Sequence, residues 1–459
     1  MMFLGRQEEL KRLHTIFKSE KFECVVVHGR RRSGKTALLR EFMANKKAIY
    51  FSAQETNSQE NLANFIRCIK LFPHEPAAVE QKIDNFDDAF GYLGELARYE
   101  RVLLIIDDYQ FLVAAHRGIS ELICEKIDMG LRNGRLMIVI CGTSAPFVEN
   151  KTLGQKSPFH GYRTARMCLE PFDFFETKRL YTAYSPFDIA IIYGLTGGVP
   201  KYLEQMDPEL SIEDNIRRSF FDPASFLFEE PANILLREIR DPTYYNAVLR
   251  AIAVGNTKNS EIAAAVGLET SACTAYLKNL ISLGFVGKYT PMTERAGKKT
   301  IYEIDDNMFR FWYRFVYGNI SLIKCGMADR IWRGVASEIS SFMSKVFENI
   351  CIQWFLQRND AGRLPIRFVD IGRWWGVDPV WKTNASVPII AYSDDDNAIF
   401  ADCEWSEDPM QVSALNSLFE RSRLFRFANR HLYLFSRAGF SDECTAAASR
   451  VGANLVLFE

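Results

Sequence analysis

A short segment at residues 29–36 carries residue types that can hold phosphate groups. It reads GRRRSGKT, fits the pattern G-x-x-x-x-G-K-T, and lies between the strand-like run ECVVVH and the helix-like run TALLREFM. Its two glycines allow the backbone to curl, so that successive N–H groups and the following helix N-terminus face an anion. Lys35 is expected to bridge the β- and γ-phosphates of ATP, and the Thr36 hydroxyl to ligate Mg²⁺. The residues predicted to contact the nucleotide here are Gly29, Arg30, Arg31, Arg32, Ser33, Gly34, Lys35, Thr36 and Ala37.

A pair of acids, Asp107 and Asp108, ends the apolar run RVLLIIDD. Placing a carboxylate at the end of a buried strand is costly without a partner, so a bound cation is the economical explanation. Asp107 is therefore predicted to hold Mg²⁺ through water, and Asp108 takes the position of an acid that polarises the attacking water. The alternative is a solvated turn after a strand.

Length and composition describe an ordinary globular protein. The chain has 459 residues, enough for about three domains, with 48% hydrophobic and 25% charged residues. Lys plus Arg (56) nearly balances Asp plus Glu (57), so no global field favours nucleic acid or an anionic membrane. Any such binding must come from a local patch.

The cysteines and apolar runs predict a cytoplasmic protein. The ten cysteines are scattered and form no Cys-x-x-Cys pair, which is typical of reduced, buried thiols rather than a zinc site. The first residues lack the continuous apolar region of a secretory signal. No apolar run approaches the roughly 20 residues that a bilayer span requires, so no membrane partner is predicted.

The pattern of elements predicts an α/β chain with four regions. Continuous apolar strands alternate with helices over residues 1–171, which indicates a parallel sheet covered on both faces, a three-layer P-loop NTPase core. Residues 172–228 are helical and predict a lid. A helix, a helix-turn-helix and a hairpin over residues 229–319 predict a winged helix. Residues 320–459 predict a mixed α/β domain.

Several motifs together resemble the prokaryotic AAA+ ATPases related to the STAND and origin-recognition groups. Besides GRRRSGKT they are FLGRQEEL at residues 3–10, LLIIDDYQFL, CGTS, FHGYRT at residues 159–164 and GGVPKYL at residues 197–203. The resemblance covers essentially the whole chain. It implies an AAA+ core followed by a winged helix and a restriction-endonuclease-like domain.

The resemblance also implies roles for residues outside the phosphate loop. Gly5 and Arg6 are expected to pack by the adenine, and Ser144, after the strand RLMIVICGTS, to read the γ-phosphate as sensor 1. Relatives have Gly-Arg-Arg-Thr where this chain has Gly-Tyr-Arg-Thr, which leaves Arg163 to sense the γ-phosphate or, alternatively, to form a surface salt bridge. Relatives have Asp-Glu where this chain has Asp107 and Asp108, so slow hydrolysis is expected.

A winged helix can read duplex DNA or dock a protein. The predicted recognition helix, residues 269–283, has Lys278 as its one basic residue. The hairpin is richer in basic residues, which could contact phosphates or simply form a solvated loop. Duplex DNA therefore stays open as a partner beside an unknown protein. The basic hairpin residues are Lys288, Arg295, Lys298 and Lys299.

By resemblance the last domain belongs with the PD-(D/E)xK nucleases, but its metal-binding positions are altered. Pro388 stands where a ligand Asp is expected, and Glu404 stands where the Lys is expected. Asp402 and Glu348 keep two carboxylates, too few for the cluster that metal-assisted hydrolysis needs. An inactive interaction domain is predicted.

The sequence thus favours an ATP-dependent switch or regulator that hydrolyses ATP slowly and can form oligomers. One alternative is a DNA-processing ATPase with an active C-terminal nuclease. Another is a transcription-factor-like DNA binder with ATP as effector.

Overall fold

The structure, a computed structural model, describes residues 5–73, 82–143, 157–292, 299–378 and 382–459. The chain divides into two compact units. The first comprises Met1–Pro171 with Val199–Lys201, and the second comprises Phe172–Gly198 with Tyr202–Glu459. The regions predicted as winged helix and last domain fall within the second unit, and so does the predicted lid apart from Val199–Lys201.

A five-stranded sheet forms the centre of the first unit. Its strand order is β2-β3-β4-β1-β5, and every neighbouring pair is parallel. All residues of β3 and β4 are buried, because helices cover both faces. The predicted three-layer P-loop core is confirmed. The strands are β1 Glu23–His28, β2 Ala48–Ser52, β3 Val102–Asp107, β4 Leu136–Gly142 and β5 Ala165–Cys168.

The helices of the first unit enclose two apolar layers. Phe65, Phe90 and Ile123 belong to one layer, and Leu38 and Phe42 to the other. Two of these helices are N-capped by asparagine, since the Asn57 and Asn85 side-chain oxygens accept backbone N–H groups of the first turn. The helices are α1 Gln7–Phe17, α2 Lys35–Met43, α3 Ser58–Lys70, α4 Phe86–Tyr99, α5 Tyr109–Ala115 and α6 Ile119–Met129.

The second unit begins with the helices predicted as a lid. Asp173 and Glu176 form a capping box at the first, and the Ser185 and Ser211 hydroxyls cap two others. The helices are α7 Phe174–Leu180, α8 Pro186–Thr196, α9 Pro200–Leu203, which crosses the boundary between the units in sequence, and α10 Ile212–Phe220.

The elements predicted for a winged helix follow in the predicted order. Four helices precede a two-stranded antiparallel hairpin, and a long helix of 33 residues comes later. The helices are α11 Phe226–Glu238, α12 Thr243–Ala253, α13 Asn259–Val266, α14 Thr270–Ser282, α15 Asn307–Phe311, α16 Ile320–Lys324 and α17 Ala328–Asp360; the hairpin strands are β6 Val286–Tyr289 and β7 Ile301–Ile304.

The last region is a mixed α/β sheet domain, as expected. Its strand order is β12-β11-β10-β9-β8, antiparallel from β8 to β10 and parallel from β10 to β12. Parallel neighbours need crossover connections, and two helices that the sequence analysis did not identify supply them. The elements are β8 Asp370–Val377, β9 Asn384–Tyr392, β10 Asn397–Glu404, α18 Val412–Ser422, β11 Asn429–Ser436, α19 Asp442–Val451 and β12 Asn454–Leu457.

Two sequence expectations concern the whole chain. Within the described ranges, no helix has both the length and the apolar character needed to span a membrane. All ten cysteines are free thiols, and six of them are buried.

Candidate nucleotide site

The predicted phosphate loop joins the end of β1 to the start of α2. A Cβ built on Gly29 would stand 2.4 Å from the Leu169 carbonyl oxygen, so no side chain fits there. Gly34 adopts a φ of +88°, a left-handed conformation that glycine accepts without strain. These two glycines thus allow the tight curl that the sequence predicted.

Lys35 points back into this loop. Its side chain is buried, and Nζ donates hydrogen bonds to the Gly29 oxygen at 2.9 Å and the Arg30 oxygen at 2.7 Å. Burial lowers the pKa of Lys35. The Ser33 hydroxyl is also buried and has no hydrogen-bond partner. A buried ammonium and an unsatisfied hydroxyl inside a glycine-walled loop fit the phosphate groups of a nucleotide.

Asp107, the last residue of β3, lies beside Thr36, which follows Lys35 in the chain. Its Oδ2 accepts hydrogen bonds from Thr36 Oγ1 at 2.8 Å and from the Tyr50 hydroxyl at 2.7 Å. The carboxylate is 3% exposed, and its Oδ1 accepts the N–H of Asp108 at 2.9 Å. The structure therefore brings together Thr36 and Asp107, the two oxygen-bearing side chains predicted to hold Mg²⁺.

Tyr50 was not recognised in the sequence. It lies in β2, which pairs with β3 so that Tyr50 is beside Ile105. Burial and the Asp107 carboxylate raise the pKa of Tyr50, so the phenol remains a hydrogen-bond donor at neutral pH. A tyrosine in an apolar strand gives no local signal of this contact, which depends on strand pairing.

Asp108 follows in an uncommon backbone conformation. Its φ is 51°, in the left-handed region, and it occupies the residue before α5 without a side-chain capping hydrogen bond. Burial and the adjacent Asp107 carboxylate raise the pKa of Asp108. Gln110 Nε2 donates to Asp108 Oδ1 and to Thr143 Oγ1, both at 3.0 Å, and Gln110 Oε1 accepts the N–H of Thr143 at 3.3 Å. One carboxamide thus links Asp108 to the end of β4.

The strand order places β4 next to β3, as the sensor 1 prediction requires. Thr143 is the last described residue after β4, and Ser144 lies outside the described residues. The sensor role of Ser144 stays a prediction.

Arg6 packs against the phosphate loop from the N-terminal side. It is buried, and its guanidinium donates to Glu9 Oε1 at 3.0 Å, to the Ser33 oxygen at 3.4 Å and to the Glu170 oxygen. The preceding Gly5 has a φ of 73°. Arg6 is thus hydrogen-bonded to the phosphate loop. The predicted contact of Gly5 and Arg6 with adenine stays a prediction.

The loop arginines add positive charge around these groups. Arg30, Arg31 and Arg32 are half-buried, while Ala37 is exposed at the start of α2. The charge of Arg31 lowers the pKa of Lys35 and opposes the rise in that of Asp108. An anionic ligand is thus favoured over the loop.

Arg163 is not brought to the phosphate loop. The N–H of Thr164 donates to the Cys24 oxygen at 2.8 Å, so residue 163 lies beside the beginning of β1. The loop follows His28 at the other end of that strand, and four strand residues span about 13 Å. Within one chain, Arg163 and the loop therefore lie at opposite ends of β1. This does not support the predicted sensing of a γ-phosphate in the same chain.

Two other contacts, at the end of β1 that carries the phosphate loop, had no sequence signal. Arg166 Nε donates to His28 Nε2 at 2.9 Å, and burial together with the Arg166 charge lowers the pKa of His28 to about 4. Pro200, from the GGVP segment, lies against Gly34 at ordinary van der Waals distance. His28 is therefore neutral at pH 7, and Pro200 borders the loop.

The altered nuclease positions lie around β9 and β10. Pro388 is half-buried and Glu404 is exposed. Burial raises the pKa of Asp402, and burial with the Glu303 and Asp402 carboxylates raises the pKa of Glu348. Among the described residues, no group of three or more His, Cys, Asp or Glu side chains is arranged to hold a metal ion.

The surface of the region predicted as a winged helix is polar rather than strongly basic where it is described. Lys278 is exposed on α14, and Lys288 is exposed on β6. Arg295 and Lys298 lie outside the described residues. Tyr276 of α14 contacts the rings of Tyr244 and Tyr245, at centroid distances of 5.6 and 4.9 Å.

Comparison with known families gives two matches along the chain. Residues 3–206 match a family described as an ATPase domain predominantly from Archaea. Residues 312–416 match a family described as archaeal and bacterial proteins of unknown function. The first match contains the phosphate loop and both acids of β3.

Individual relatives agree with these matches. An uncharacterized protein of Methanocaldococcus jannaschii is 31% identical over 427 residues, 92% of both chains. An uncharacterized ATP-binding protein of the same organism is 43% identical over 47 residues, which are 10% of this chain and 80% of that one. The Walker-type ATPase of Pyrococcus abyssi has a similar fold, with a TM-score of 0.53 and 20% identity over 68% of this chain and 96% of that one.

Proposed function

Since this chain belongs to the archaeal-type ATPase family, we propose that it is an ATP-dependent switch that binds ATP with Mg²⁺ and hydrolyses it slowly. The contact of Thr36 and Asp107 beside the Lys35 ammonium is the observation that carries this proposal. It supports the proposal because Lys35 would bind phosphate there, Thr36 would ligate Mg²⁺, and Asp107 would hold the ion through water.

Each side chain of the site has a separate task in this proposal. Lys35 would exchange its two carbonyl contacts for phosphate oxygens, which is possible because both are hydrogen bonds to its own loop. Thr36 and Asp107 would hold Mg²⁺, which neutralises charge on the phosphates. Tyr50 would keep the Asp107 carboxylate oriented through its hydroxyl. Asp108 would accept a proton from the attacking water.

Slow hydrolysis is proposed from the position of Asp108. An aspartate is one methylene shorter than glutamate, which retracts the carboxylate by roughly 1.5 Å, while a base must approach its water to about 2.6 to 3.2 Å. The structure adds that Gln110 holds one carboxylate oxygen. A short, tethered base fits a switch that remains in its ATP state for a time.

Gln110 gives a direct test of this arrangement. Replacing Gln110 by Leu removes the link between Asp108 and Thr143, so kcat for ATP hydrolysis should fall about tenfold, because small misplacements of catalytic groups have large effects on rate. Affinity for ATP should stay nearly unchanged, since the Gln110 side chain bonds to Asp108 and Thr143 rather than to the residues predicted to hold the phosphates or Mg²⁺. Steady-state kinetics with Gln59→Leu, an exposed position on α3, is the matched control. Equal kcat for Gln110→Leu and wild type would contradict the role of this link.

The rival function, a DNA-processing ATPase, has one supporting observation. Glu348 and Asp402 are close enough for the Asp402 charge to raise the pKa of Glu348. Two carboxylates beside Pro388 and Glu404 still lack the lysine and one ligand of a nuclease site. We therefore propose that the last domain contacts a partner rather than cutting DNA.

No nicking is accordingly expected when the full chain is incubated with supercoiled DNA and Mg²⁺ or Mn²⁺. Gel electrophoresis of the plasmid is the measurement. Cleavage that disappears with Asp402→Ala but persists with Asp394→Ala, an exposed acid after β9, would instead establish the nuclease.

The proposed partner of the winged helix is a protein. Tyr276 of the predicted recognition helix packs against Tyr244 and Tyr245 of α12, and the same helix carries one exposed lysine, Lys278. Asn279 also donates to the Tyr245 hydroxyl at 2.7 Å. Aromatic and amide groups are typical of protein contacts, whereas duplex binding relies on clustered arginine and lysine.

A further inference from the structure

A cavity of about 560 Å³ lies within the second unit, and the phosphate loop belongs to the first. Its walls come from the hairpin strands β6 and β7, the helices α15 and α17, and strand β8. Small-molecule sites usually occupy about 300 to 1,000 Å³, so the volume suits a ligand.

Positive charge dominates the lining. Among the described residues, five basic and two acidic side chains border the cavity. The acids are Glu303 and Asp305. The basic side chains are Lys288, Arg310, Arg314, Lys345 and Arg373.

Most of these charges already have partners. Glu303 receives two hydrogen bonds from Arg373, at 3.1 and 2.5 Å, and lies 3.0 Å from Lys345 Nζ. Arg314 pairs with Glu338 at 2.9 Å, outside the lining. Asp305 accepts a hydrogen bond from the Tyr289 hydroxyl.

Arg310 is the least exposed of the basic side chains that lack an ion pair here. Its guanidinium stacks 4.2 Å from the Phe342 ring centroid and makes one long hydrogen bond, 3.5 Å, to the Phe342 oxygen. Its Nε is closed off from solvent and has no hydrogen-bond partner. Burial lowers the pKa of Arg310 to about 10, which still leaves it charged at neutral pH.

A buried, charged guanidinium with so few acceptors is costly. The Glu303 and Glu348 carboxylates lie near enough to raise the pKa of Arg310, but by less than burial lowers it. An anion in the cavity would offer acceptors to the terminal nitrogens of Arg310, and phosphate oxygens match the fork of N–H donors on a guanidinium.

Aromatic rings border the same space. Tyr302 and Trp375 line the cavity, and the Arg373 guanidinium lies 5.9 Å from the Trp375 ring centroid. Flat aromatic faces beside a cationic pocket suit a base as well as a phosphate. We propose that this cavity binds a small phosphate-bearing ligand of nucleotide size, with its phosphate on Arg310 and Lys288.

Calorimetric titration of the full chain with adenosine 5′-monophosphate tests the proposal. Arg310→Gln should weaken binding by at least about tenfold, because it removes a charged hydrogen-bond donor. Arg423→Gln makes the same charge change on an exposed arginine and should leave binding unaltered. Lys35→Ala should also leave it unaltered, since Lys35 belongs to the other unit.

Lys288→Gln provides a second variant that does not depend on a buried position, because Lys288 is exposed on the hairpin. It too should weaken the binding. Inorganic phosphate should compete with the nucleotide, and adenosine should not. The proposal is overturned if the wild type binds no nucleotide, if Lys35→Ala abolishes the binding, if the Arg423 and Arg310 variants lose affinity equally, or if phosphate binds and the nucleotide does not.

Discussion

ATP with Mg²⁺ should raise the thermal midpoint of this protein, and Lys35→Ala should abolish that rise. At a hundredfold excess over Kd, ligand linkage stabilises the bound state by about 2.7 kcal/mol. For a unit of this size that free energy corresponds to about 5 to 10 °C. Lys35→Ala should lose this stabilisation because the Lys35 ammonium is buried inside the phosphate loop, where the phosphates are expected to bind. Differential scanning fluorimetry over a range of ATP concentrations is the measurement.

A matched lysine separates this effect from a general loss of charge. Lys47 is exposed after α2 and pairs with Glu100 at 2.8 Å, and such surface pairs contribute little to stability. Lys47→Ala should therefore keep the full ATP-dependent rise. An unchanged midpoint for the wild type in ATP, or an equal rise for Lys35→Ala, would defeat the assignment of the phosphate loop.

The two acids that end β3 should produce opposite kinds of defect. Asp107→Ala should weaken Mg²⁺-dependent ATP binding by about 10- to 100-fold, as losses of outer-shell metal support commonly do. Asp108→Ala should leave binding nearly intact and lower kcat by about tenfold or more, part of the 10²- to 10⁴-fold that a well-placed base contributes. Nucleotide titration with and without Mg²⁺, together with steady-state hydrolysis, distinguishes the two.

Asp108→Glu should raise kcat, because the longer side chain brings the carboxylate nearer to the water. The backbone conformation at residue 108, which the sequence did not reveal, should at the same time lower the stability of this variant. Asp108 has a φ of 51°, a conformation that costs most residues about 1 to 2 kcal/mol but that aspartate tolerates better. The variant should therefore be less stable to urea while it turns over faster. If Asp108→Ala hydrolyses ATP as fast as the wild type, Asp108 is not the base.

The strands of the first unit were predictable because each is short, apolar and bounded by helical segments. Their continuous burial, as in β3, is what a parallel sheet between two helical layers requires. The last domain was harder. Its crossover helices α18 and α19 are short amphipathic segments between strands, and the sequence pattern alone did not separate them from loops.

Some residues of the candidate site were likewise predictable from the sequence, and others were not. The loop lysine and the two acids have spacings that predict their chemistry, since glycine-rich turns and strand-terminal carboxylates are local features of the chain. Tyr50 and Gln110 have no such spacing. Tyr50 reaches Asp107 from the neighbouring strand, and the Gln110 carboxamide bridges the ends of two strands.

The sequence by itself determined the family, the parallel core and the phosphate loop, because these depend on residues adjacent in the chain or on a period along it. Only the tertiary structure decided which side chains hydrogen-bond to Asp107 and Asp108. It also decided that Arg163 lies at the opposite end of β1 from the phosphate loop, and that Arg310 lines a cationic cavity. Those features depend on strand order and on contacts between residues far apart in sequence, as between β1 and β5 or β7 and β8. Local pattern does not encode such distances, since packing sets them after the elements have formed.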